Sequence, residues 1–145
     1  MSDIGASAPD ETAVFGAIGT LAESEPELGK RVLSPADEEA VAALPAGSAL
    51  LIVQRGPSAG ARFLLDTDRI TAGRHPRSDI FLDDVTVSRK HCEFLREGEG
   101  FVVRDVGSLN GTYVDRQRVE SHLLQSGEEV QIGKFRLAYY PAVVK

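Results

Sequence analysis

The sequence has no tryptophan, one cysteine, one methionine and three histidines in 145 residues, and aromatics make up only 6% of it. A lone Cys92 cannot close an internal disulfide, and neither CxxC nor HExxH spacing occurs, so no metal site and no metal cofactor are expected. Cys92 is read as a small structural residue. No apolar run approaches the roughly 20 residues that span a bilayer. The start Met-Ser-Asp-Ile-Gly-Ala lacks the basic opening and apolar stretch of a secretion signal. A cytoplasmic protein without membrane contact is the expectation. Also missing are a nucleophile beside a base and a Gly-rich phosphate loop opening a helix, which argues against an enzyme. The basic residues Arg74, Arg77, Arg89 and Lys90 have no interleaved aromatics to act as stacking platforms, and the net charge is −6, so nucleic acid is not an expected partner.

The charge that is present is unevenly spread. Residues 1–46 hold nine acidic and two basic side chains, a charge of −7, whereas residues 47–145 hold thirteen acidic and fourteen basic, a charge of +1. The first segment is rich in Ala, Glu, Gly, Ser and Pro without alternation. It offers too little apolar surface to offset the entropy of ordering, so 1–46 is expected to be a mostly disordered, flexible tail. Two pieces stand out in it. Ser34 as an N-cap, Pro35 in the first turn and the acids at 37–39 predict a short helix over 35–44. Glu11-Thr12-Ala13-Val14-Phe15 is a compact apolar cluster following an acidic pair.

From residue 47 the texture changes to short runs of Val, Ile, Leu, Phe and Tyr separated by turn residues. Strands are expected at 49–55, 61–65, 69–72, 80–82, 91–96, 101–105, 112–114, 118–120, 129–132 and 135–140. About ten or eleven short strands with no helix among them indicate an all-β, antiparallel sandwich over 47–145, whose loops gather at the two ends. Function is sought in those loops, which a rigid scaffold holds without consuming their side chains in packing.

Three loop segments depart from ordinary turn composition: Gly73-Arg74, Ser88-Arg89-Lys90-His91 and Ser108-Leu109-Asn110-Gly111. A phosphate dianion offers three strong acceptor oxygens, and the guanidinium fork of Arg74 matches them with a charge that does not titrate. Ser88 adds a neutral hydroxyl donor and Arg89 a second positive charge. Asn110-Gly111 is also the commonest hairpin signal, and the two roles are compatible.

In order and spacing, Gly-Arg, Ser-x-x-His and Asn-Gly resemble the signature of the forkhead-associated domain, over about residues 48–140. That resemblance implies a domain that binds phosphothreonine in a partner protein and catalyses nothing. Arg74, Ser88, Arg89, Ser108, Leu109 and Asn110 would contact the ligand, with Asn110 holding its main chain, and Gly73, His91 and Gly111 would support the loops. Leu109 stands where many relatives have a Thr hydroxyl, so only its backbone is available. Thr86, two before Ser88, is not basic, so an apolar ligand residue three places after the phosphothreonine is expected rather than an acid.

The stretches 78–89 and 106–114, together with the acidic tail and the Thr12 segment, resemble a family of small actinobacterial regulators of 2-oxoglutarate metabolism, the glycogen accumulation regulators or oxoglutarate dehydrogenase inhibitors. That resemblance implies a switch. A Ser/Thr protein kinase phosphorylates Thr12, the domain binds its own tail, and the closed form releases its targets. Those targets would be the 2-oxoglutarate dehydrogenase component and glutamate-metabolising enzymes. About 36 residues separate Thr12 from the domain, a flexible coil of roughly 30 to 35 Å, which suits self-binding. Relatives carry two adjacent threonines, but here Glu11 takes the first place, so one kinase input is absent. The alternative is a general phosphothreonine-dependent adaptor whose tail is only a linker.

Overall fold

The structure is a computed structural model that describes residues 33–143. The expectations for Thr12 and the rest of 1–32 lie outside those residues. Ser34 caps the first element, helix α1 (Pro35–Ala42), with its side chain accepting the Asp37 amide, while Pro35 occupies the first turn and Asp37 and Glu38 face the positive end of the helix dipole.

Eleven strands follow: β1 (Ala49–Arg55), β2 (Arg62–Leu65), β3 (Arg69–Gly73), β4 (Ile80–Phe81), β5 (Cys92–Glu97), β6 (Gly100–Asp105), β7 (Thr112–Val114), β8 (Gln117–Val119), β9 (Ser121–Leu123), β10 (Glu129–Ile132) and β11 (Phe135–Pro141). They form two sheets, β2-β1-β11-β10-β7-β8 and β4-β3-β5-β6-β9. Between them lies one core, to which Leu51, Val53, Leu137 and Tyr139 contribute from the first sheet and Ile70, Phe94, Phe101 and Val103 from the second.

The run Ala-Leu-Leu-Ile-Val of β1 is apolar throughout because both of its faces are covered. Ala49, Leu51 and Val53 point into the sandwich, and Leu50 and Ile52 join Ala138 and Tyr140 in a second cluster with Val41. Leu33, Ala40 and Leu44 pack against that cluster, and Arg62 Nε donates to Asp37 Oδ1 at 2.8 Å. The helix therefore docks on the outside of the first sheet, and the compact unit that contains it begins at Leu33.

Two details differ from a purely antiparallel sandwich of ten strands. The β3–β4 pair is parallel, Ala72 opposite Ile80 and Gly73 opposite Phe81. The chain returns along the edge because Asp79 Oδ2 takes the Thr71 amide at 2.9 Å while the Thr71 hydroxyl accepts the Asp79 amide at 3.0 Å. The single strand expected at 118–120 is two strands. β8 pairs with β7 in one sheet and β9 with β6 in the other, and Glu120 sits at the crossing. Among the described residues no helix is long and apolar enough to cross a membrane.

Candidate functional site

Gly73 ends β3 where the backbone of the β4–β5 loop passes over it. A Cβ placed there would lie 2.2 Å from the Arg89 carbonyl oxygen, so only glycine allows the approach. The two segments are then stitched together, the Arg74 amide donating to Ser88 O at 2.9 Å and the His75 amide to Arg89 O at 3.2 Å. This close crossing brings Arg74 to Ser88 and Arg89, although 14 and 15 positions separate it from them along the chain.

His91 is fully buried and ties three segments together. Its backbone amide donates to Ala72 O and its carbonyl accepts the Val106 amide, both at 3.1 Å. On the ring, Nδ1 accepts the Ser88 amide at 3.1 Å and Nε2 lies 2.9 Å from Gly111 O. An acceptor at Nδ1 and a carbonyl at Nε2 require the neutral tautomer with its proton on Nε2. Burial lowers the imidazole pKa below its ordinary value, opposed by the Gly111 carbonyl and the charge of Asp105.

The β6–β7 loop is built on Asp105. Its carboxylate accepts the amides of Gly107 and Ser108 at 2.8 and 3.0 Å and the hydroxyls of Ser108 and Thr112 at 2.5 and 2.7 Å. Partial burial acts to raise the Asp105 pKa, but the bonds from Ser108, Thr112 and Gly107 outweigh it and hold the group ionised below the usual carboxylate range. Ser108 Oγ also accepts the Gly111 amide at 2.9 Å, so its hydroxyl is committed at both ends inside the loop. Gly111 adopts φ +88°, and a Cβ there would lie 2.8 Å from Arg118 Nε. Because β6 and β7 belong to different sheets, Asn110-Gly111 turns the chain between sheets and closes no hairpin.

Together these bonds leave a specific set of donors exposed. Ser88 Oγ accepts the Leu109 amide at 2.9 Å, which fills one acceptor position and leaves the hydroxyl proton to donate. Arg74 Nε donates to Val87 O at 3.0 Å, which fixes the fork, and its two terminal nitrogens have no ion-pair partner among the described residues. Arg89 is exposed and makes no ion pair among the described residues. Asn110 Nδ2 donates to Thr86 O at 3.0 Å, leaving its carbonyl oxygen and one N–H. A hydroxyl donor and two arginines brought to one crossing, neither arginine in an ion pair among the described residues, are an arrangement for a multiply charged oxyanion. Leu109 presents an 86% exposed side chain beside it, and its amide is spent on Ser88.

Thus the crossing brings Gly73, Arg74, Ser88, Arg89 and His91 together, and the β6–β7 loop adds Leu109, Asn110 and Gly111. Ser108, expected as a ligand contact, bonds Asp105 and the Gly111 amide inside the same loop. Two residues contribute bonds that were not read from the sequence. Asp105 was detectable, since Asp followed by Gly and Ser two and three places on is an Asx-turn pattern. Thr86 was noted only as a non-basic residue, and its clamping bonds carried no signal. Its hydroxyl donates to Asp84 Oδ2 at 2.5 Å and accepts the Lys134 amide at 2.9 Å, clamping the loop onto the β10–β11 turn.

The forkhead-associated domain model matches residues 70–133, a span that contains all three loops. The chain is 59% identical over 131 residues to the oxoglutarate dehydrogenase inhibitor of Corynebacterium glutamicum, covering 90% of this chain and 87% of that one. It is 68% identical over 99 residues to the glycogen accumulation regulator GarA of Mycolicibacterium smegmatis, covering 68% of this chain and 63% of that one. Among solved structures, Mycobacterium tuberculosis EmbR in complex with a low-affinity phosphopeptide superposes with a TM-score of 0.60 at 26% identity, over 68% of this chain and 26% of that one.

Proposed function

Since this chain belongs to the oxoglutarate dehydrogenase inhibitor family and carries its forkhead-associated domain, we propose that it is a phosphothreonine-binding regulator and not an enzyme. Arg74, Ser88 and Arg89 take the phosphate, Asn110 orients the ligand main chain, and Gly73, His91, Ser108 and Gly111 hold the loops. The observation that carries this proposal is the Ser88 hydroxyl, which accepts the Leu109 amide and keeps its proton to donate, on the segment that carries the exposed Arg89 and is stitched to Arg74.

In the unphosphorylated state the protein binds the 2-oxoglutarate dehydrogenase component and glutamate-metabolising enzymes and restrains them. A Ser/Thr kinase then phosphorylates Thr12, the domain captures that phosphothreonine, and the targets are released. High identity to a relative named as an inhibitor of oxoglutarate dehydrogenase supports the target class, and the acidic, Thr12-bearing segment supports the internal ligand.

The deciding experiment compares domain amide NMR shifts after kinase treatment of the wild-type chain and of Thr12→Ala. Changes at Arg74, Ser88 and Asn110 in the wild type alone are expected. If those residues do not move, or if the phosphorylated chain still binds an outside phosphopeptide at full strength, the internal lock is wrong and the adaptor alternative holds.

A further inference from the structure

Beside the recognition loop lies a concavity of about 380 Å³ whose lining includes Arg104, Asp105, Gly107, Arg118 and Glu120. Its charges are not equally available. The Asp105 carboxylate is saturated by four hydrogen bonds from its own loop, and Arg104 is bound to Glu93. Arg118 is exposed, makes no ion pair among the described residues and lies against Gly111, one residue from Asn110. Its position is fixed by register, opposite Tyr113 on the β7–β8 ladder. A turn with φ of +46° at Asp115 and +72° at Arg116 closes that ladder, and the Glu129 amide donating to Asp115 Oδ1 at 2.9 Å anchors it.

We propose that Arg118 and this concavity form a second subsite, one that reads a carboxylate on the N-terminal side of the phosphothreonine in a bound segment. The proposal rests on the phosphothreonine assignment of the neighbouring site. Ser88 Oγ, at the phosphate position, bonds the Leu109 amide, and Arg118 lies against Gly111, two residues further along that loop. Two residues span at most about 7 Å, so an extended ligand would bring its second residue from the phosphothreonine to Arg118. The chain's own candidate segment has that composition on one side only. Asp10 and Glu11 precede Thr12, whereas Ala13, Val14 and Phe15 follow it. Arg118 thus sets a preference that Arg74 and Ser88, which see only phosphate, cannot set. Glu120 on the same lining competes for Arg118 and tempers that preference.

The test uses the full, unphosphorylated chain and two synthetic peptides covering residues 7–17 with phosphothreonine at 12, one native and one with Asp10→Asn and Glu11→Gln. Fluorescence anisotropy is expected to show the neutral peptide binding wild-type protein roughly 3- to 10-fold more weakly at low salt, with the gap narrowing at high salt. Arg118→Ala should bind both peptides alike, at the weaker level. Arg118→Lys should restore part of the discrimination, and Glu120→Gln should widen it. Equal binding of the two peptides by wild type, or undiminished discrimination by Arg118→Ala, overturns the subsite while leaving the phosphothreonine site standing. If wild-type protein binds neither phosphopeptide more tightly than its unphosphorylated counterpart, the phosphothreonine assignment itself fails and the subsite fails with it.

Discussion

The arginine at position 74 has the chemistry of a phosphate ligand wherever it occurs, but only the crossing at Gly73 gives it Ser88 and Arg89 as neighbours. Replacing Gly73 by Ala forces a methyl group into the Arg89 carbonyl 2.2 Å away. Urea denaturation should register a loss of about 3 kcal/mol, the upper end of ordinary overpacking, with phosphopeptide binding lost as the loops part. Arg74→Ala should leave stability nearly unchanged, since its side chain holds only the Val87 carbonyl, and should weaken phosphopeptide binding roughly 10- to 100-fold by calorimetry, the worth of a charge-assisted pair. His91 supplies a pH dependence. Its folded pKa is lowered, so as pH falls through the ordinary value of about 6.5 the unfolded chain binds a proton that the folded chain refuses, and stability decreases. Urea unfolding at pH 7.5 and 5.5, alongside an imidazole NMR titration in which His91 stays neutral as the pH passes 6.5, checks the sign. Arg74 and Ser88 could be named as candidates because their chemistry is visible in residue type and spacing. The bonds Ser108 makes inside its loop could not be read, because a hydroxyl committed there has the same letter as one facing solvent.

At the scale of elements, periodicity and turn chemistry located most strands, and β1, β7 and β10 begin and end where the apolar runs do. β9 escaped because Ser121-His122-Leu123 has one apolar residue and no alternation to reveal it. It is a strand only because β6 offers a free edge. The N-terminal helix was legible from its cap and first-turn proline, whereas its docking was not, since eight residues with one buried side chain carry little amphipathic signal. That docking makes a prediction. Val41→Asp removes the buried anchor over Leu50, Ile52, Ala138 and Tyr140 and should cost about 2 kcal/mol in urea unfolding, with phosphopeptide binding unaffected because the second cluster does not reach the site loops.

Across the molecule, both sheets feed one core, and neither has an inner face that could stay folded alone. Unfolding of this unit should therefore be cooperative. Far-UV circular dichroism and the fluorescence of its tyrosines, of which Tyr139 lies fully buried between the sheets, should give coincident urea transitions, and separated transitions would show that the sheets melt independently. The uneven charge along the chain, the strand-and-turn texture and the three loop motifs were determined by the sequence alone. They depend on residue type and on separations of a few positions, which a linear string records in full. The parallel β3–β4 edge, the sheet change at Glu120, the bond from the Leu109 amide to Ser88 Oγ and the placement of Arg118 against Gly111 were decided only by the tertiary structure. Each depends on which segment lies across from which, and backbone register and hydrogen-bond competition settle that between residues 7 to 21 positions apart, which local sequence pattern does not decide.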